Sequence, residues 1–124
     1  MNRLLIVDDA LIMRMKIREL AEAAGWTVVA EAGDGAVAVA KYKDLKPDLV
    51  TLDMVMPRMD GLAALQSIRA MDPDARVVMV SAVNQKEKLK ACIAEGAIDF
   101  IVKPFQEDRL QAFFSKYREP EPDA

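Results

Sequence analysis

Five polar side chains stand where apolar runs end. Asp8 and Asp9 follow Leu4-Leu5-Ile6-Val7, Asp53 follows Leu49-Val50-Thr51-Leu52, Ser81 follows Val77-Val78-Met79-Val80, and Lys103 follows Phe100-Ile101-Val102. Singly, each has an ordinary explanation. An Asp or Ser after a strand is commonly a helix N-cap, and a lone lysine is usually a surface charge. Together they are harder to explain as caps. Three carboxylates at one place repel and raise each other's pKa, and a bound cation relieves that repulsion. All-oxygen ligands point to Mg2+ over zinc. Phosphoryl transfer suits the set: a carboxylate can be the nucleophile, a metal and a lysine can neutralise the phosphoryl oxygens, and a hydroxyl can donate to one of them. Asp53 stands alone at its strand end and is the nucleophile candidate, which leaves Asp8 and Asp9 to hold the metal.

For these groups to meet, the apolar runs must be neighbouring strands that end at one edge. The spacing between the runs provides for this. Met13, Ile17, Ala21 and Ala24 recur at helical spacing up to Gly25. A second run, Val28-Val29-Ala30, leads through Asp34-Gly35 into a helix with Ala38, Tyr42 and Leu45 on one face, ending at Pro47. Leu65 and Ile68 mark a third helix, a Lys-rich stretch up to Gly96 a fourth, and Leu110, Phe113, Phe114 and Tyr117 a fifth. Five strands alternate with five helices, and the strands read as continuous apolar runs, as strands buried on both faces do. Right-handed strand-helix-strand crossovers then give an α/β fold, a doubly wound five-stranded parallel sheet flanked by helices. Ligands bind such sheets beyond the carboxyl ends of the strands. No internal boundary is visible, so residues 1–118 read as one domain, and 119–124 (Glu-Pro-Glu-Pro-Asp-Ala) as a polar tail, disordered or opening a linker.

Composition narrows the function. Of the 124 residues, 52% are apolar and 30% charged, which excludes a disordered chain. The apolar runs are far shorter than the roughly 20 residues of a membrane span, and no signal peptide is visible. A net charge of -3 argues against a nucleic-acid surface. Lys86, Lys88 and Lys90 are interleaved by Glu87 and read as a solvated helix face. The single cysteine, Cys92, reads as a buried core thiol in a reducing cytoplasm, and the eight methionines as core filler. The absence of histidine removes Ser-His-Asp and Cys-His catalysis and imidazole-bound zinc.

The site residues lie in four stretches: Val7-Asp8-Asp9, Asp53-Met54-Val55-Met56-Pro57-Arg58-Met59-Asp60-Gly61, Val80-Ser81-Ala82, and Phe100-Ile101-Val102-Lys103-Pro104-Phe105. In order and spacing, over residues 3 to 118, the chain resembles the receiver domain of bacterial response regulators. The resemblance implies a flavodoxin-like strand order, 2-1-3-4-5. It implies that Asp53 is the phosphoacceptor, charged by a histidine kinase. Asp9, Asp53 and the backbone carbonyl of Val55 would ligate Mg2+ directly, and Asp8 would act through water. Ser81 would move to the phosphoryl group, Lys103 would pair with it, and the Lys103-Pro104 bond would be cis. Phe100 matches an aromatic switch position that rotates inward when Ser81 shifts; plain core packing is the other reading of Phe100. The switched element would be the fourth helix, fifth strand and fifth helix.

Asp9-Ala10, Met13-Arg14, the run Ser81 to Gln85 and the run Lys103 to Arg109 look like chemotaxis receivers. The first expectation is therefore a cytoplasmic, free-standing chemotaxis regulator that binds a flagellar motor switch protein. It would be no enzyme beyond its own phosphorylation and dephosphorylation, with no nucleic-acid or membrane partner. On this expectation the chain would end one short tail after its last helix, without an effector domain. A second reading is the receiver of a longer transcriptional regulator. A third is a magnesium-dependent phosphohydrolase with an aspartyl-phosphate intermediate. Such enzymes resemble Asp-x-Asp at the nucleophile, whereas Asp53 is followed by Met54-Val55. Val55 and Val83 are apolar where many receivers carry polar residues that place the attacking water. Slow self-dephosphorylation is expected, with a role for a separate phosphatase. Trp26 opens the second strand and is expected at the end of the sheet opposite Asp53.

Overall fold

The computed structural model describes residues 2–82 and 84–120. Strands and helices alternate: β1 (Arg3–Val7), α1 (Leu11–Ala23), β2 (Thr27–Ala32), α2 (Gly35–Leu45), β3 (Leu49–Asp53), α3 (Gly61–Met71), β4 (Val77–Ala82), α4 (Lys86–Ala94), β5 (Asp99–Lys103) and α5 (Glu107–Tyr117). The strands pair in parallel in the order β2-β1-β3-β4-β5. This is the doubly wound fold and strand order expected.

Side chains alternate across a strand, so each inner strand feeds two cores. Leu5, Val7, Val50, Leu52, Val77 and Met79 pack with Ala38 and Tyr42 of α2, Leu65 and Ile68 of α3, and Cys92 of α4. On the other face Leu4, Ile6, Leu49, Val78 and Ile101 pack with Ile17 and Leu20 of α1 and with Leu110, Phe113 and Phe114 of α5. Helices thus cover both faces of β1, β3 and β4. The expectation of strands buried on both faces fails for β2 and β5, most of whose residues are half-buried or exposed. Each is an edge strand with one neighbour, and a short apolar run alone does not tell edge from centre.

Local chemistry sets the helix ends. Asp34 accepts from the Val37 N–H and Asp60 from the Ala63 N–H, capping α2 and α3. After α1 the chain turns through Gly25 at φ 92, a conformation glycine adopts without steric cost. Cys92 is buried, its Sγ 3.8 Å from Met54 Sδ. Lys86, Lys88 and Lys90 are exposed, as a solvated face requires. The methionines do not all fill the core. Met54, Met56 and Met79 are buried, but Met15 and Met71 are exposed, since α1 and α3 turn those positions to solvent. Nor is Glu119 loose. Its N–H donates to Asn2 Oδ1 at 2.7 Å and its carbonyl accepts from Asn2 Nδ2 at 2.8 Å. Of the expected tail, residues 121–124 lie outside the described residues.

Candidate functional site

Parallel pairing brings the carboxyl ends of β1, β3 and β5 to one edge. Asp53 and Lys103 close β3 and β5 on the same face as Leu49 and Ile101, and Asp8 follows β1 in phase with Leu4 and Ile6. Asp8, Asp9 and Asp53 each present a carboxylate oxygen, and these oxygens lie within 4.8 Å of one another. Lys103 Nζ stands 2.7 Å from Asp8 Oδ2 and 3.4 Å from Asp53 Oδ1. Asp8 and Asp53 are buried, while Asp9 is exposed. The ordinary readings of these residues do not apply. The N-cap of α1 is Ala10, with no side-chain cap bond, so neither aspartate caps that helix. Asp8 Oδ1 instead accepts from the Ala10 N–H at 2.9 Å, and Lys103 is a paired, half-buried ammonium.

Ser81 is fully buried, but it lies in phase with Val77 and Met79, which face the other core. Its hydroxyl donates to the Ala82 carbonyl at 3.2 Å. Phe100 is exposed rather than tucked into the core, and with Ala82, Leu89, Ile93 and the stems of Lys86 and Lys90 it lines a groove of about 410 Å³ between α4 and β5. Plain core packing therefore does not describe Phe100. Val55 stands in the loop after β3 with its side chain exposed. Val83 lies outside the described residues. The Lys103-Pro104 bond is cis.

The electrostatics favour a bound cation. Burial, then the charge of Asp8, pushes the Asp53 carboxyl up to about 6, against the pull of Lys103 and of the Met54 N–H at 2.9 Å. Burial pulls the Lys103 ammonium down, but its bonds and charges with Asp8 and Asp53 outweigh that and hold it above its ordinary value. One ammonium, paired with Asp8 and Asp53, thus stands against a cluster of three carboxylates. The residual charge and the all-oxygen donor set fit a hard divalent cation with water in its shell.

Several residues hold the site in place through partners that the sequence alone does not show. Arg14 donates from Nη1 to the Asp8 carbonyl at 2.6 Å and from Nε to Glu31 Oε1 at 3.0 Å. Arg58, at φ 67, pairs with Asp34 at 2.9 Å, and the Gly35 N–H donates to the Met59 carbonyl at 3.1 Å, tying the β3–α3 loop to the start of α2. The one available sequence signal is Arg14 itself. A cation in the first turns of a helix opposes the helix dipole, so something outside the helix must hold it there.

Comparison with known proteins points to one family. The sequence profile of the response regulator receiver domain matches residues 4–115. The chemotaxis protein CheY of Bacillus subtilis is 51% identical over 115 residues, covering 93% of this chain and 96% of that protein. CheY of Thermotoga maritima is 46% identical over the same length, with the same shares covered. Among solved structures, the CheX-CheY-BeF3-Mg complex from Borrelia burgdorferi matches with a TM-score of 0.86 and 38% identity, covering 94% of this chain and 90% of that one. The chain belongs to the response regulator receiver family.

Proposed function

We propose that this receiver takes a phosphoryl group from a histidine kinase onto Asp53 and passes the signal to a flagellar motor switch protein, as a chemotaxis regulator. The observation that carries the reading is the meeting of three carboxylates within 4.8 Å, with Lys103 between two of them. Likeness to CheY proteins across most of their length supports the chemotactic output.

In this reading an Asp53 carboxylate oxygen attacks phosphorus, and the bond from phosphorus to the donor nitrogen breaks. The residues present suit Mg2+: Asp9, Asp53 and the Val55 carbonyl would hold it directly, and Asp8 would act through water. Bound there, the ion supplies positive charge to the phosphoryl oxygens. Lys103 Nζ, already 3.4 Å from Asp53 Oδ1, gives a second positive charge. Ser81 leaves the Ala82 carbonyl to donate to the phosphoryl group, and its shift draws Phe100 out of solvent into the space between α4 and β5. The partner reads the changed α4–β5–α5 face through its different affinity for the two forms. The exposed apolar Val55 cannot orient an attacking water, so the phosphorylated state is long-lived without a phosphatase. The chain catalyses only its own phosphorylation and dephosphorylation and works in the cytoplasm. No helix among the described residues is long and apolar enough to cross a membrane.

Phosphotransfer from an autophosphorylated histidine kinase tests the proposal. Label should pass to wild type, not to Asp53→Asn, and the labelled form should bind the motor switch protein more tightly. Label retained by Asp53→Asn would refute the assignment of Asp53.

A further inference from the structure

We infer that Arg14 is a positioning residue for the cation end of this site, holding the Asp8–Asp9 peptide so that both carboxylates face Asp53. The inference rests on the reading of these three aspartates as cation ligands. The Asp8 backbone is held on both sides: its N–H donates to the Ala32 carbonyl at 3.0 Å, and its carbonyl accepts from Arg14 Nη1 at 2.6 Å. That carbonyl belongs to the peptide joining Asp8 to Asp9. Its orientation therefore sets where the exposed Asp9 projects, and Asp9 has no helix cap to fix it.

The guanidinium is in turn fixed from behind. Arg14 Nε donates to Glu31 Oε1 at 3.0 Å, and the other Glu31 oxygen takes two bonds from Arg18, at 2.9 and 2.7 Å. Lys41 Nζ donates to the Glu31 carbonyl at 2.6 Å. The Arg14 side chain is only 18% exposed, so its planar fork spans two acceptors in a partly desolvated place where charge-assisted bonds are strong. Arg18 bonds the same carboxylate but not Asp8, which makes it a built-in control.

The sign of the effect separates position from charge. Arg14 is a cation near a cation site. By Coulomb's law alone, removing it tightens Mg2+ binding. As a positioning residue, removing it loosens the Asp8–Asp9 peptide and weakens binding, by about tenfold on the scale of outer-shell metal partners. A lysine keeps the charge but replaces the two-acceptor fork with a point charge, so Arg14→Lys isolates geometry.

Calorimetric titration of Mg2+ into wild type, Arg14→Met, Arg14→Lys and Arg18→Met tests this. Weaker binding in both Arg14 variants, with a clearly smaller loss in Arg18→Met, which loosens Glu31 but leaves the Arg14–Asp8 bond, is the expected result. Should Arg14→Met not fold, as judged by circular dichroism, Arg14→Lys against Arg18→Met decides alone. Equal or tighter binding in the Arg14 variants would overturn the inference and leave the site reading intact, as would an equal loss in Arg18→Met. No Mg2+ binding by folded wild type would overturn both.

Discussion

Asp53 is held in an environment that disfavours its charge. Burial and Asp8 push its carboxyl up from an ordinary 3.8 to about 6. A carboxyl whose folded value exceeds its unfolded one holds its proton more tightly when folded. Its contribution to stability is therefore full below about 3.8 and is lost as pH rises through about 6. In chelator, where no cation offsets the charge, Asp53→Asn should be more stable than wild type at pH 7 by roughly 1–3 kcal/mol. That gain should shrink as pH falls toward 4. Urea unfolding across this range measures it, and an Asp53→Asn protein less stable at pH 7 would be contrary. At this scale Asp8, Asp9, Asp53 and Lys103 are legible in the sequence because each closes a strand, and a parallel sheet aligns strand ends. The roles of Arg14 and Arg58 are not, because their partners Glu31 and Asp34 lie 17 and 24 residues away and meet them only in the folded chain.

At the scale of elements, the start of α3 is pressed against the end of β3. The Gly61 N–H donates to the Met54 carbonyl at 2.8 Å, and a Cβ on Gly61 would stand 2.3 Å from the Asp53 carbonyl oxygen. Backbone cannot give way as a flexible side chain does. Gly61→Ala should cost about 1–3 kcal/mol and, by shifting Asp53, slow its phosphorylation. Urea unfolding beside a phosphorylation time course checks both, and wild-type behaviour in both would refute the close approach. The sequence shows Gly61 within a run that resembles the family, but its reason is a contact between elements. The same holds for the edge strands. Apolar content gives strand and helix alternation, whereas whether β2 and β5 are covered on both sides depends on which strands sit beside them.

Across the whole molecule, the reactive edge and the aromatic core stand apart. Arg3, at the start of β1, pairs with Thr27, so Trp26 lies beside the amino end of β1, while Asp8 follows its carboxyl end. A five-residue strand, roughly 17 Å long, separates the two regions. Trp26 is buried, its indole N–H donating to the Phe114 carbonyl at 2.9 Å. It is the chain's one tryptophan, so its emission should stay unchanged as Mg2+ saturates the site. Strong quenching by the metal would contradict this placement. Most directly, phosphorylation is tested by intact mass after incubation with Mg2+ and a small phosphoryl donor, on wild type and Asp53→Asn. One added phosphoryl group, on wild type alone and lost when a chelator replaces the metal, is the predicted result. A folded wild type that gains none, or an Asp53→Asn protein that gains one, would contradict it.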